Sequence, residues 1–264
     1  MKIRELVLVV LVVTVIAVSL VTYLYYLQFK KEEVYGEEIV EVGKRILLPY
    51  PKLTGKISVE EAIANRRSVR SYEDKPITLE QLAQILWAAQ GITEPRRRFR
   101  AAPSAGATYP LELYVVVGEN TVKNLVAGVY RYDVHTHSLI IVKKGDIRRA
   151  LARAALGQVW VEKAPLSIVI TAIYGRTTSR YGERGIRYVH IEVGHVGQNI
   201  YLQSVALGLG TVAVGAFYDD QVRELIGASK EEQPLYIMPI GYPQNIYKLN
   251  PDELKRYYEI HRKG

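Results

Sequence analysis

From Leu6 to Leu27 the chain carries no charged side chain, and most of that run is Val and Leu. At the α-helical rise it would reach about 33 Å, enough to cross a bilayer core of about 30 Å. Tyr23, Tyr25, Tyr26 and Phe29 gather at its far end, followed by Lys30 and Lys31, in the order of an aromatic and basic belt. The run exceeds the apolar core of a signal peptide, and no small-x-small cleavage site follows it. The sequence therefore predicts a retained, single-pass membrane anchor over residues 1–33. Lys2 and Arg4 precede the span, while Lys30, Lys31, Lys44 and Arg45 follow it, a count that leaves the face unresolved and slightly favours the cytoplasm.

Gly36, Gly43, Pro49, Pro51 and Gly55 mark residues 34–55 as a linker. Residues 56–248 alternate helical and strand patterns without a repeat, as one folded domain would, and 249–264 form a C-terminal extension. Ser58 and Thr78 stand three residues before Glu61 and Gln81, the spacing of capping boxes that open two helices. Leu111 to Val117 and Leu166 to Ile173 read as strands, Gly128 to Asp133 and Ser138 to Lys143 as a hairpin, and Ile186 to about Leu207 as a long helix. With 48% hydrophobic residues the chain can bury a sizeable core. The net charge of +8 is too diffuse to require nucleic acid, and the absence of cysteine excludes disulfides, thiol nucleophiles and Cys-ligated metals.

Gly208-Leu209-Gly210-Thr211-Val212-Ala213 fits a dinucleotide fingerprint in letters only. A helix precedes it and a strand follows, so a phosphate would meet the negative end of the helix dipole, and a helix C-cap is the better reading. Pro103-Ser104-Ala105-Gly106 lacks a glycine of the nucleophile elbow, and Pro110 obstructs the helix such an elbow needs. His135-x-His137 and Glu192-x-x-His195 are half-sites without partners, so no metal is predicted; a solvated turn and a core histidine explain them. The run Arg96–Arg100 reads as a charged surface, or as the rim of a site for a phosphorylated ligand. Arg66, Arg67, Ser68 and Arg70 place three guanidinium forks and a hydroxyl in one short turn, the donor set a phosphate monoester asks for.

Several motifs, in order over about 190 residues, together resemble the nitroreductase superfamily, and within it the SagB/ThcOx-type thiazole/oxazole dehydrogenases. They are Arg66–Arg70, Pro103–Glu112, Gly128–Tyr132, Gly157-Gln158, Tyr181–Tyr188, Gly194–Asn199, Val214–Phe217 and Ile240–Pro243. The resemblance implies an α+β nitroreductase-like fold, with a central, mostly antiparallel sheet flanked by helices, and a homodimer binding FMN at its interface. Arg66, Arg67, Ser68 and Arg70 match the phosphate and ribityl clamp, with Lys248 as a late phosphate contact. Pro103, Ser104, Ala105 and Gly106 match the loop laid against the flavin from the partner subunit. Val214 and Gly215 match the stretch whose amides face N5, and Gln158 a side chain toward the pyrimidine end.

The implied activity is transfer of hydride or electrons between NAD(P)H and a small organic acceptor by a ping-pong route. SagB-type relatives instead oxidise azolines in a peptide to azoles, with a Lys-Tyr pair whose place here reads Arg180-Tyr181. Tyr181 and Arg180 are thus the candidate catalytic pair, although an arginine cannot act as a base at ordinary pH. A flavin-binding protein without turnover is the remaining alternative within this family. An anionic-surface binder using Arg96–Arg100 is the alternative outside it.

Overall fold

The computed structural model describes residues 14–25 and 42–262. Two compact units, Met1–Glu41 and Val42–Gly264, divide the chain. In the first, residues 14–25 form a helix, α1. Among the described residues no helix is long and apolar enough to cross a membrane. The expected transmembrane helix is corrected accordingly, and the membrane placement with its slightly favoured cytoplasmic orientation loses its basis. The remainder of the apolar run, before residue 14 and after residue 25, lies outside the described residues.

The second unit is built on a seven-stranded sheet in the order β1-β6-β5-β4-β7-β9-β8, every ladder of it antiparallel. Its centre is β4 (Leu111–Val117), β7 (Leu166–Ala172) and β9 (Gln233–Gly241). All seven residues of β7 are buried, Ser167 and Thr171 included, as its nearly all-apolar run demands of a strand covered on both faces. β5 (Gly128–Asp133) and β6 (Ser138–Lys144) form the expected hairpin, and β1 (Arg45–Leu47) adds an edge from the segment read as linker. β8 (Gly210–Thr211) closes the other edge. A separate hairpin, β2 (Ile92–Glu94) and β3 (Phe99–Arg100), carries Arg96–Arg98 in its turn.

Helices cover both faces. On one, Val116, Val169 and Ile237 of the sheet pack with Leu151 of α4 (Arg148–Ala154), Val161 of α5 (Val159–Lys163) and Val222 of α8 (Asp219–Ile226). On the other runs α7 (Arg184–Ala206), with a Cβ added at Gly197 falling 3.3 Å from the Tyr236 ring of β9. This is the nitroreductase-like α+β sheet-and-helix arrangement that the resemblance implied. α2 (Val59–Asn65) and α3 (Leu79–Gln90) start as expected, with Ser58 accepting the Glu61 amide and a full capping box between Thr78 and Gln81. α7 ends in a Schellman arrangement. The Leu209 amide reaches the Ser204 carbonyl, the Gly208 amide reaches Val205, and Gly208 takes φ +72°, so the Gly-x-Gly motif is a C-cap. α6 (Gly175–Tyr181) and α9 (Pro251–His261) complete the described helices.

Candidate active site

The Arg66–Arg70 turn follows α2 and lies along the edge strand β8. Ser68 pairs with Thr211 in a parallel bridge, and the Val69 amide donates to the Thr211 carbonyl at 2.9 Å. Such an approach requires glycine next door: a Cβ at Gly210 would sit 2.5 Å from Cγ2 of Val69. Extended backbone then sends alternate side chains to opposite sides. Arg66 lies over the Tyr201 ring at 5.2 Å, the Ser68 hydroxyl pairs with the Tyr201 hydroxyl at 3.1 Å, and Arg70 lies over Trp160 at 5.6 Å.

Arg67 faces elsewhere, stacked on Tyr247 at 3.6 Å in a cavity of about 920 Å³ that Lys248 also lines. The structure thus groups Arg66, Ser68 and Arg70, and separates Arg67 and Lys248 from them. The Leu249 amide nonetheless donates to Asn65 at 2.9 Å, which holds the neighbourhood of Lys248 at the end of α2.

Tyr201 joins this turn to the second expected element. Its hydroxyl accepts the Ala213 amide at 2.8 Å, immediately before Val214 and Gly215. The Val214 amide is committed to Ile237 at 2.9 Å, so of the two expected amides only Gly215 lies outside that bridge, on an exposed backbone. Gln158 belongs to the same group, since its side chain donates to the Ala216 carbonyl at 3.0 Å. Among the described residues none of Arg66, Arg67 and Arg70 has a carboxylate partner. Two guanidinium groups without a carboxylate partner, a hydroxyl on the same side of the turn and an exposed glycine backbone linked to them through Tyr201 match the donor chemistry of a phosphate monoester carried by a flat ring system.

The remaining expected residues form a second group. Gly106 takes φ +58°, and a Cβ there would fall 2.5 Å from the Tyr181 hydroxyl and 2.7 Å from Nη1 of Arg180. Arg180 donates to the Gly106 carbonyl at 3.1 Å, and the Ser104 hydroxyl accepts the Tyr109 amide at 2.9 Å. Tyr181 is held edge-on against Tyr188, with ring centres 5.2 Å apart. The pair 180–181 therefore sits directly on the Pro103–Gly106 loop, whose Pro103 and Gly106 are exposed.

Beneath this loop is a buried polar cluster. Glu192 is 2% exposed, with Ser104, Gln90 and Arg100 as neighbours. Burial raises its pKa, and those neighbours only partly oppose the shift. Oε1 of Glu192, Nε2 of Gln90 and Nε of Arg100 are all buried without a hydrogen-bond partner. Sequence reasoning placed the histidine of Glu192-x-x-His195 in the core and the reverse holds: Glu192 is buried and His195 exposed. It also missed Tyr201 and Trp160. Tyr201 lies four residues beyond Gly197, on the sheet-facing side of α7, which is the one signal that would have singled it out.

The Nitroreductase family profile matches residues 63–242. The chain belongs to the nitroreductase family. It is 49% identical over 186 residues to MJ1384 of Methanocaldococcus jannaschii, which carries the name nitroreductase, covering 70% of this chain and 91% of that protein. It is 24% identical to the trifolitoxin operon protein TfxC of Rhizobium leguminosarum bv. trifolii, over 75% of this chain and 58% of TfxC. Identity to the FMN reductase [NAD(P)H] of Bacillus subtilis is 26%, over 70% of this chain and 66% of that enzyme. A nitroreductase crystal structure from Ralstonia eutropha JMP134 superimposes with a TM-score of 0.68 at 28% identity, covering 78% of this chain and 93% of that one. The protein is accordingly an oxidoreductase of this family.

Proposed function

We propose that this nitroreductase-family protein binds FMN and passes electrons from NAD(P)H to a small organic acceptor by a ping-pong route. The observation that carries the reading is the donor set on one side of the Arg66–Arg70 turn, tied through Tyr201 to the backbone at Ala213. The named activity of the Bacillus subtilis relative supports the choice of FMN and NAD(P)H. Arg66, Ser68 and Arg70 would hold the phosphate, and Gly215 and Gln158 would border the ring. Bound flavin would supply hydride or single-electron transfer.

The chain's own residues do the rest. Tyr201 orients the Ser68 hydroxyl and fixes the backbone that leads into Gly215. Gln158, bonded to the Ala216 carbonyl, keeps that strip open beside α5. The Pro103–Gly106 loop, with Arg180 and Tyr181 upon it, forms the second wall of the site, donated across a homodimer. No hydrogen bond or ring contact joins the two groups among the described residues of one chain, which is the arrangement such an exchange needs.

Azoline oxidation is the second reading, and it follows from the resemblance of the sequence motifs to SagB/ThcOx-type dehydrogenases. It fits less well, because Arg180 has no lone pair to accept a proton and is committed to the Gly106 carbonyl. Its role is to position the loop, leaving Tyr181 as the group able to move a proton.

The test is the visible spectrum of the purified full chain loaded with FMN, repeated anaerobically with NADH or NADPH. A flavin band that bleaches, and returns with an acceptor, is the expected result. A bound flavin that stays oxidised would favour a substrate that itself reduces it, or a protein without turnover. Failure to take up FMN would overturn the reading.

A further inference from the structure

A second concentration of positive charge lies in a cleft of about 580 Å³ lined by Arg97, Arg98, Arg100, Arg131 and Arg176. Two carboxylates share it, but each is already engaged. Glu112 pairs with Arg176 at 2.7 Å, and Asp133 pairs with Arg45 at 2.5 Å. Arg97, Arg98, Arg100 and Arg131 make no ion pair among the described residues. Gathering four unpaired guanidinium groups costs repulsion that a bound anion would relieve. One of the four is already partly desolvated: burial lowers the pKa of Arg100, Glu112, Tyr109 and Glu192 oppose the shift and Arg176 adds to it, while one nitrogen donates to Gln90 at 3.2 Å and Nε has no partner.

The cleft does not end at the arginines. A cavity of about 490 Å³ adjoins it and shares Arg98, Tyr132, Val134 and His135 with it. Its other walls include Tyr50, Trp87 and His137, so the charged cleft opens onto an aromatic one. Hydrogen bonds hold the shared wall rigid. Nε2 of His137 donates to the Pro49 carbonyl at 2.9 Å, which leaves Nδ1 to accept the Tyr132 hydroxyl at 2.8 Å. This one neutral tautomer agrees with the lowering of the His137 pKa by burial.

A compact dianion suits the arginines, and a planar ring suits Trp87, Tyr132 and the histidines. We propose that this continuous cleft is a nucleotide site, taking a phosphate among Arg98, Arg100 and Arg131 and the base in the adjoining aromatic cavity. The site is separate from the Arg66–Arg70 turn, shares no residue with it, and does not rest on the flavin reading. Ala107, Thr108 and Tyr109 wall the cleft and continue the Pro103–Gly106 loop, so an occupant would brace the segment that carries Arg180 and Tyr181.

Isothermal titration of the full chain with adenosine 5'-monophosphate tests this, alongside adenosine and inorganic phosphate. Because the Arg66–Arg70 turn also attracts phosphates, the titrations use FMN-loaded wild type and, separately, the R66Q/R70Q variant. The nucleotide should bind both alike, with adenosine and inorganic phosphate each weaker by about tenfold or more, the worth of one charge-assisted contact. Arg98→Asn with Arg131→Gln should weaken the nucleotide by about tenfold to a hundredfold without altering FMN uptake. Arg98 has φ +61°, a conformation asparagine tolerates, and Arg131 is solvent-exposed, so the double variant should fold. Arg131→Lys, which keeps the charge and loses the fork, should fall between the two. Absence of nucleotide binding, inorganic phosphate binding as tightly as the nucleotide, or an affinity moved by R66Q/R70Q and not by R98N/R131Q would overturn the inference.

Discussion

Ser68 and Tyr201 lie 133 positions apart in the chain and share a hydrogen bond of 3.1 Å, while the same phenol accepts the Ala213 amide at 2.8 Å. One helix side chain thus fixes both the arginine turn and the approach to Gly215. Tyr201→Phe keeps the ring under Arg66 and deletes the acceptor, stranding a half-buried amide at a cost of about 1–3 kcal/mol. The midpoint of urea denaturation should fall accordingly, and FMN uptake should weaken with it. Ser68→Ala leaves the Ala213 amide bonded, so it should cost less stability.

Arg70 contacts only the Trp160 face, and Arg66 only the Tyr201 face, among the ring contacts at this turn. Arg70→Gln should therefore barely change the melting temperature while weakening FMN by about tenfold to a hundredfold, the loss of a charge-assisted contact. Arg67→Gln, facing Tyr247 in the other cavity, should change FMN affinity little. Fluorescence titration of the two variants separates the sides of the turn, and equal losses would place Arg67 with its neighbours after all.

The elements that sequence pattern revealed are those with one dominant local cause. β7 is a nearly all-apolar run, α3 has a reciprocal cap, and α7 ends on a left-handed glycine. β9 gave no such signal because Pro234 and Pro239 interrupt it, and proline reads as a strand breaker. Pro234 is tolerated because on that edge β8 pairs only with Ile240 and Gly241 and the Val214 bridge reaches only Ile237, so neither pairs with residue 234. The arginine turn was visible as charge density, yet not that Arg67 would leave the group, since that depends on the bridge between Ser68 and Thr211. Tyr201 is one of 20 tyrosines, and only tertiary packing distinguishes it. The apolar N-terminal run misled for the opposite reason, since composition registers an apolar stretch without showing that a spanning helix forms, and among the described residues none does.

Gly106→Ala tests whether the loop and the pair 180–181 act together. A left-handed alanine costs about 1–2 kcal/mol, partly offset by about 0.4–1 kcal/mol from a stiffer unfolded chain. The net loss of stability should be small. The new methyl group, however, would meet Tyr181 and Arg180 at side-chain tips that can swing away. Turnover should thus drop far more than the melting temperature. Parallel losses in both would make Gly106 a folding position only.

The burial of Glu192 predicts a pH signature whose sign follows from the direction of its shift. Burial raises its folded-state pKa above the ordinary carboxylate value, so the folded chain holds this proton more tightly than the unfolded one does. Its contribution to stability is complete below the unfolded pKa of about 4.3 and is lost as pH rises through the raised folded value. Glu192→Gln mimics the protonated form at every pH. The melting temperature of the variant minus that of wild type should therefore climb as pH rises above the ordinary carboxylate range, and then level off. A difference that is flat between acid and neutral pH would mean that Arg100, Ser104 and Gln90 fully compensate the burial of the carboxylate. A difference that falls with pH would mean that they overcompensate it, with Glu192 ionised beneath the Pro103–Gly106 loop.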